Sequence, residues 1–289
     1  MTLHPLLIAK IHFRATIRRV DLLDQLCHIW QGKETMTDKF ILTPYFLDDP
    51  VPGLRPLAQS DWLVNETELP SGNRQTRMVA LYRPLATAVS HTLQQGNRPI
   101  SIAGDCCTSI GVLAGLQQAG ITPTLIWLDA HGDFNTWETT PSGFLGGMPL
   151  AMIVGRGEQT ITQGTGLRVL PEHRIILTDA RDLDPGEREA VTESAVIRLP
   201  DVRQLLNYPL PAGPLYVHFD TDVINPTEAP AMNYPTPGGP SVATLAEVFQ
   251  RLAETERIVA VSVSTWNPDL DKDGRSRQAT MTLLQTLLG

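Results

Sequence analysis

The fold and the chemistry of this chain are both indicated by residues 124–133, which read TLIWLDAHGD. The apolar run at the start of this stretch predicts a buried strand. In an extended backbone, side chains two positions apart lie on the same face, and open α/β sheets bind ligands at the carboxyl ends of their strands. We therefore expect Asp129, His131 and Asp133 to converge on one point, where their oxygen and nitrogen atoms suit a divalent metal ion. Taken alone, the triplet is equally compatible with a solvated loop that carries ordinary turn carboxylates.

A second apolar run ends in a cluster of the same kind. Residues 214–219, which read PLYVHF, predict another buried strand, and Asp220 and Asp222 follow it at a spacing of two. Two carboxylate clusters at strand ends can hold two metal ions that share ligands.

Composition and charge restrict the classes of partner. The chain has 289 residues with a net charge of −8, and its longest basic run is the pair Arg18-Arg19, which argues against nucleic acid as the main partner. No apolar run approaches the ~20 residues of a membrane span. The three cysteines do not form a disulfide framework, and the adjacent Cys106 and Cys107 would make an unusual bridge. We therefore expect a reduced, cytoplasmic protein whose main partner is neither nucleic acid nor a membrane.

Predicted strands alternate with predicted helices from residue 40 to the C-terminus. This pattern indicates a three-layer α/β/α domain with a mainly parallel sheet of about eight strands. Residues 1–35 do not fit the pattern, because they carry several basic side chains and no acid before Asp21. Such a segment is compatible with a transit peptide, an amphipathic helix or an upstream extension of the reading frame. We expect residues 1–35 to be an N-terminal extension and residues 36–289 to be a single catalytic domain.

The two clusters together resemble the ureohydrolase family, which includes arginase, agmatinase and formimidoylglutamase. That family carries Asp-Ala-His-x-Asp after one strand and Ser-x-Asp-x-Asp after a later one. This sequence has the first motif at residues 129–133 and the second at residues 218–222, with His218 in place of the Ser. The resemblance extends from about residue 40 to the end of the chain. It implies an arginase-like fold with an eight-stranded parallel sheet and a homo-oligomer, either a trimer or a hexamer.

The resemblance also implies a binuclear metal centre, with Mn as the most common metal. Five of the family's six ligands have counterparts here, and the sixth, a His in the family, falls on Cys106. A thiolate is softer than an imidazole and shifts the preference toward Zn, Fe, Co or Ni, although Cys106 could also be a small buried hydrophobe. A Cys at this place resembles the branch that hydrolyses hydroxyarginine. The implied ligands are Cys106, Asp129, His131, Asp133, Asp220 and Asp222.

The roles of these residues follow the family. Two metal ions lower the pKa of a shared water, which attacks an amidino carbon so that urea or a similar amide is expelled. By resemblance, Asp133 is the catalytic residue, since it binds metal and also hydrogen-bonds the attacking water. Asp129 and Asp220 are expected to bridge the ions, with His131 and Asp222 completing one ion and Cys106 the other.

Three further residues suggest an α-amino acid as substrate. In arginases, an Asn and a Ser hold the α-carboxylate, and Asn135 and Ser142 match them in place and type. The pattern Arg-Asp-x-Asp-Pro-Gly-Glu at residues 181–187 places Asp184 where the family binds the α-amino group. Each of these residues, taken singly, is more commonly a helix cap or a polar loop residue.

Two departures argue against plain arginase activity. Thr265 stands where the family has a Glu that grips the guanidinium, and Gly146 stands where arginases have a proton-shuttling His. Loss of a carboxylate that pairs with a cation removes about 1.5–3 kcal/mol of charged hydrogen bonding. We therefore expect a less basic substrate, such as N-hydroxyarginine. The alternatives are an arginase-fold enzyme that cleaves another bond, such as a deacylase, and a metal-binding protein that has lost catalysis.

Overall fold

The computed structural model describes residues 36–289, and the predicted N-terminal extension lies outside the described residues. An eight-stranded sheet has the strand order β4-β1-β5-β10-β9-β6-β7-β8, and its strands pair in parallel throughout. Strands β2 and β3 form a separate antiparallel ribbon. The strands are β1 Asp38–Thr43, β2 Tyr45–Phe46, β3 Asp49–Pro50, β4 Leu63–Val64, β5 Arg98–Ala103, β6 Thr124–His131, β7 Ile175–Asp182, β8 Ile197–Leu199, β9 Leu215–Asp220 and β10 Ile258–Ser264.

Helices pack on both faces of the eight-stranded sheet, so the predicted three-layer α/β/α fold with a mainly parallel sheet is confirmed. Several short 3₁₀ turns occur in the connections, among them residues 145–147 and 221–223. The α-helices are α1 Arg74–Gln94, α2 Thr108–Gln118, α3 Pro149–Ile153, α4 Thr160–Thr165, α5 Pro185–Glu193, α6 Val242–Ala253 and α7 Arg275–Leu288. None of the helices within residues 36–289 combines the length and the apolar character that crossing a membrane requires.

Strand β6 shows why the sheet has two apolar faces. Its side chains alternate, so that Leu125 and Trp127 join the core beneath helices α1 and α2. Ile126 and Leu128 join the opposite core, beneath helices α6 and α7. A strand that is covered on both faces must be apolar at consecutive positions, which is the pattern of residues 125–128.

The order of the strands brings the predicted site residues to one edge. The chain passes from β5 to β6 across the two central positions that β10 and β9 occupy later, so the strand order reverses there. Such a switch point opens a crevice at the carboxyl ends of the strands. Strands β5, β10, β9 and β6 all end at this crevice, because neighbouring strands pair in parallel.

Helices α1 and α2 approach each other closely at Gly115. A Cβ atom at this position would lie 2.5 Å from the carbonyl oxygen of Ala86 and 2.6 Å from Cβ of Val89. Because backbone atoms cannot give way as side chains can, the approach of the two helices requires glycine here.

We predict that Gly115→Ala lowers the free energy of unfolding by about 1–3 kcal/mol through overpacking. The sign of this change in the free energy of unfolding is diagnostic, since Gly→Ala at an uncrowded helical position stabilises a protein by about 0.5–1 kcal/mol. The measurement is the urea midpoint. Gln118→Ala, on the exposed part of the same helix, is the control and should change stability by less than about 0.5 kcal/mol. An unchanged or higher midpoint for Gly115→Ala would contradict the packing argument.

Candidate metal centre

A cavity of about 460 Å³ opens at the carboxyl edge of the sheet. Every predicted site residue except Asp129 lines it, and Asp129 lies buried directly behind this lining. The end of the cavity nearest the strands is formed by buried acidic groups, whereas Ser142 at the other end is exposed. The structure therefore places the residues of both sequence motifs around one open cavity.

The first group of possible ligands consists of Asp129, His131 and Asp222, whose ligand atoms all lie within 4.8 Å of one another. Nδ1 of His131 lies 3.0 Å from Oδ2 of Asp222 and 3.4 Å from Oδ1 of Asp129. The backbone fixes both carboxylates, because the N–H of His131 donates to Asp129 and the N–H of Ala130 donates to Asp222. These bonds tie the end of β6 to the turn that follows β9.

The second group consists of Cys106, Asp129, His218 and Asp220, again within 4.8 Å of one another. Sγ of Cys106 lies 2.6 Å from Oδ2 of Asp220 and 3.9 Å from Oδ2 of Asp129. Asp129 therefore belongs to both groups and joins them. The motif comparison gives His218 no role, although its spacing of two from Asp220 places both side chains on one face of β9.

Asp133 lies beside both groups without belonging to either. It has a positive φ of 52°, which is uncommon for residues other than glycine. Its Oδ2 atom is buried and has no hydrogen-bond partner among residues 36–289. A buried carboxylate oxygen normally has a partner, so this atom is free to bind a cation or a substrate in the cavity.

The buried carboxylates repel one another. Burial, followed by the charges of Asp129 and Asp220, raises the pKa of Asp133 well above its ordinary value. Burial, followed by the charges of Asp222 and Asp129, does the same to the pKa of Asp220. Burial and the charge of Asp220 also raise the pKa of the Cys106 thiol. These groups cannot all be anions in a dry site unless a cation compensates them.

The two imidazoles of the site have opposite electrostatic environments. Burial lowers the pKa of His131, but the hydrogen bonds to Asp129 and Asp222 outweigh burial and raise this pKa to about 12. Burial lowers the pKa of His218 to about 3, so that its imidazole is neutral at pH 7. His131 is thus the nearest protein cation to the two carboxylates that it contacts.

The donor set fits divalent metal ions. It combines several carboxylates, imidazole nitrogens and one sulfur, which are the atoms that bind first-row divalent metals. The free Oδ2 of Asp133 and the mutual repulsion of the acids both call for positive charge. A cation in each ligand group would supply it, and the shared Asp129 would then bind both ions.

The predicted binders of the α-amino acid end lie together. Nδ2 of Asn135 donates to Oδ2 of Asp184 at 2.9 Å, and Oδ1 of Asn135 accepts from the hydroxyl of Thr139 at 2.9 Å. These two hydrogen bonds fix the orientation of the amide. Its second N–H has no hydrogen-bond partner among residues 36–289. Asp184 is also the N-cap residue of α5, so the alternative expectation that it caps a helix is confirmed, while its role toward a substrate stays a prediction. Ser142 is exposed, and its hydroxyl accepts from the N–H of Phe144.

Thr265, which stands at the position of the family's Glu, donates its hydroxyl proton in a short hydrogen bond to Oδ2 of Asp220. Thr265 is buried and has a φ of 76°, a strained value for a β-branched residue. The residue after β10 is therefore held against Asp220 and presents no charge to the cavity.

The ring of Phe144 occupies the space that a side chain at residue 146 would need. A Cβ atom at Gly146 would lie 2.3 Å from Cζ of the Phe144 ring. The ring packs between Phe46, with centroids 6.2 Å apart, and Tyr234, with centroids 5.3 Å apart. An aromatic wall of the cavity thus takes the place of the arginase shuttle His.

Two residues of the pattern at 181–187 to which the sequence analysis assigns no role hold the loops of the site. Buried Glu187 accepts from the N–H of Phe134 at 2.8 Å and from the N–H of Asp184 at 3.1 Å, which joins the loop after β6 to the start of α5. Arg181 donates to the backbone carbonyls of Asp222 at 3.1 Å and Val223 at 3.2 Å. The Arg and the Glu of the motif at residues 181–187 therefore have structural roles, which a sequence pattern alone does not separate from substrate binding.

Comparison with known proteins gives one consistent result. The profile of the arginase family matches residues 59–289. The arginase of Bacillus caldovelox is 33% identical over 219 residues, which are 71% of this chain and 73% of that protein. The N(omega)-hydroxy-L-arginine amidinohydrolase of Streptomyces lavendulae is 30% identical over 252 residues, which are 86% of this chain and 85% of that protein. The crystal structure of arginase from Bacillus subtilis superposes with a TM-score of 0.75 at 26% identity, covering 88% of this chain and 98% of that one.

Members of this family are hydrolases of C–N bonds in amidines that use a binuclear divalent metal centre. The match of the family profile covers nearly all of the described chain, and the fold and the paired ligand groups agree with it. This chain belongs to the arginase family.

Proposed function

We propose that this chain hydrolyses the amidino-type group of a linear α-amino acid, with N-hydroxyarginine as the favoured substrate, by means of two divalent metal ions. The observation that carries the proposal is the pair of ligand groups that share Asp129 at the buried end of a cavity. Asn135 and Asp184 line the same cavity nearer to solvent. A linear substrate can therefore place one end at the metals and the other at these two side chains.

The metal ligands follow from the two groups. Asp129, His131 and Asp222 would hold one ion, and Cys106, Asp129 and Asp220 the other, with Mn as the family's usual metal and the sulfur of Cys106 favouring Zn, Fe, Co or Ni in its own group. When bound, the two ions supply a water of low pKa at neutral pH. Asp133 is the proposed catalytic and additional ligand residue, since its free Oδ2 faces no protein donor within residues 36–289 and can accept the proton of the attacking water.

The α-amino acid end of the substrate has partners of matching charge. Asp184 carries the carboxylate that would bind an α-ammonium group. The unused N–H of Asn135 and the hydroxyl of Ser142 would donate to the α-carboxylate. Because Thr139 and Asp184 already fix the Asn135 amide, it is oriented before the substrate arrives.

The amidino end explains the preference for a weakly basic group. The guanidinium of arginine is a fixed planar cation with five donors, and it needs a carboxylate in a dry site. Thr265 carries no charge, and its hydroxyl already donates a hydrogen bond to Asp220. An N-hydroxyguanidine is less basic than a guanidine, so its burial without a carboxylate partner costs less free energy.

The first prediction from this proposal concerns metal content. After loading with Mn and removal of free metal, elemental analysis should give about two ions per chain, because two groups are present. Asp222→Asn, which alters only the His131 group, should retain about one ion. Asp129→Asn should retain neither at saturation, since both groups share this residue. The Asn oxygen can still accept from the indole N–H of Trp127, which now donates to Asp129 at 3.0 Å.

Circular dichroism of both variants serves as the control for folding. A wild-type content near zero under saturating Mn, Zn and Co would refute the metal centre. Equal losses in Asp129→Asn and Asp222→Asn would show that Asp129 is not shared.

The second prediction concerns specificity. N-hydroxyarginine should exceed arginine in kcat/KM by about tenfold to a hundredfold, which corresponds to the ~1.5–3 kcal/mol of a missing charged hydrogen bond. Agmatine lacks the α-carboxylate and should be a poorer substrate than both. The assay should measure the amine product, with hydroxyurea, urea, ammonia and formamide followed in parallel, because N-hydroxyarginine would release hydroxyurea and arginine would release urea.

Thr265→Glu restores a carboxylate and should raise kcat/KM for arginine relative to N-hydroxyarginine. Thr265→Gln is the matched control for Thr265→Glu. Gln has nearly the same size as Glu and also removes the threonine hydroxyl that donates to Asp220, yet it carries no charge. Equal turnover of arginine and N-hydroxyarginine by the wild type, or equal effects of Glu and Gln, would show that residue 265 does not set specificity.

A further inference from the structure

His218 is the one member of the Cys106 group that the proposed function leaves unused. Its side chain is completely buried in the sheet, at the ligand-bearing end of β9. One of its ring nitrogens lies within 4.8 Å of Sγ of Cys106 and of carboxylate oxygens of Asp129 and Asp220. An imidazole, a thiol and two carboxylates thus converge on one volume.

The hydrogen bonds of the ring show which nitrogen is available. Nδ1 lies 2.7 Å from the hydroxyl of Ser262, whereas Nε2 has only a long contact of 3.5 Å with the hydroxyl of Ser264. The Ser264 hydroxyl in turn lies 3.2 Å from Sγ of Cys106, so Nε2 is the nitrogen on the side of the thiol. Stacking on Trp127, with centroids 3.8 Å apart, fixes the plane of the ring.

We propose that His218 is a direct ligand, through Nε2, of the metal ion that Cys106 binds. The inference rests on the proposed metal centre and adds to it one site of mixed donors: sulfur, imidazole nitrogen and two carboxylate oxygens. The contact between Nδ1 and the Ser262 hydroxyl occupies the outer position at which metal-binding histidines usually donate a hydrogen bond, and it fixes the direction of the ring.

The geometry needs little change to accommodate the ion. Metal–ligand distances of about 2.0–2.3 Å place the donors of a tetrahedral site roughly 3.3–3.8 Å apart. The four donor atoms lie within 4.8 Å of one another, so the distant pairs must close by about 1 Å. Sγ of Cys106 and Oδ2 of Asp220, now 2.6 Å apart, must separate by about the same amount. The ring can approach without losing Ser262, because a hydroxyl can follow it while still contacting Tyr216, now 2.7 Å away.

The proposal makes the two metal positions chemically different. The group of Asp129, His131 and Asp222 has a single imidazole and only oxygen otherwise. The group with Cys106 and His218 has two softer donors, which favour Zn or Co over Mn. The chain should therefore hold a harder and a softer metal at adjacent positions.

Cobalt absorption tests this directly, since a thiolate bound to Co(II) gives a sulfur-to-metal charge-transfer band in the near ultraviolet. Titration of the metal-free full-length protein with Co(II), followed at that band, gives the Kd of the Cys106-side ion alone. Cys106→Ser should abolish the band and shows that it originates from this sulfur. Total cobalt per chain is measured in parallel.

His218→Asn is the main variant, because its amide N–H can keep the bond to Ser262 while no atom replaces Nε2. The Kd from the band should rise at least tenfold, since loss of a mere outer contact already costs about 10–100-fold in metal affinity. Ser101→Ala is the matched control, because Ser101 is a buried serine that pairs with Ser262 in the sheet and its hydroxyl has no partner within residues 36–289; it should leave the Kd within about twofold. If His218→Asn fails to fold in circular dichroism, Ser262→Ala provides the same test with the ring retained, and its Kd should rise about tenfold.

Three results would overturn the proposal. The first is an unchanged Kd and unchanged band in His218→Asn, or in Ser262→Ala where that variant is used. The second is a loss in Ser101→Ala as large as that in His218→Asn, because the loss of affinity would then come from disturbed packing between the strands. The third is a wild type that binds two cobalt ions without the sulfur band, which refutes this site and leaves the proposed binuclear centre standing. A wild type that binds no cobalt, zinc or manganese would refute both.

Discussion

The crowding of buried anions around Asp129 is the constraint on which the rest of this structure depends. Asp129 lies between a thiol at 3.9 Å and an imidazole at 3.4 Å, and it belongs to both ligand groups. Burial of an uncompensated ion costs several kcal/mol. The indole of Trp127, the backbone N–H of His131 and the imidazole ring of His131 offset part of this cost. The remaining repulsion among the acids makes the site a place for cations.

The sheet provides this crowding, and a few long-range bonds preserve it. The reversal of strand order places the ends of β5, β10, β9 and β6 side by side, so residues far apart in the chain meet at one edge. Arg181 holds the turn after β9 by its backbone carbonyls, and Glu187 holds the loop after β6. These long-range bonds are thus made by side chains outside the two ligand groups.

Much of the fold and of the site could be predicted from local patterns. Apolar runs that end in carboxylates two apart indicate strands, and the alternation of strands and helices indicates the parallel sheet, which the structure confirms. The positions of Asp129, His131, Asp220 and Asp222 follow from the same period of two. Their roles as ligands, the roles of Asn135, Ser142 and Asp184 toward a substrate, and the predicted oligomer stay predictions.

The remaining features depend on contacts that no local pattern encodes. Thr265 donates a hydrogen bond to Asp220 because β10 and β9 are neighbours in the sheet. The presence of Thr where the family has Glu does not by itself predict this hydrogen bond. The place of His218 beside Cys106 depends on the pairing of β10 with both β9 and β5, since Cys106 follows β5. The filling of the space at Gly146 by Phe144 depends on the path of a loop. The sequence signal for His218 was its spacing from Asp220, but that spacing alone does not show what lies opposite.

The central claim is that two metal ions lie close enough to share Asp129, and the electron paramagnetic resonance spectrum of the Mn(II)-loaded protein tests it most directly. Ions bridged by a common carboxylate are about 3.5–4 Å apart, and two Mn(II) ions at that distance interact magnetically. We expect the broad, multi-line spectrum of an exchange-coupled pair at two equivalents of Mn(II), with the signal of an isolated ion only at lower loading. A fully loaded protein that shows only the six-line signal of isolated Mn(II) would contradict the shared centre.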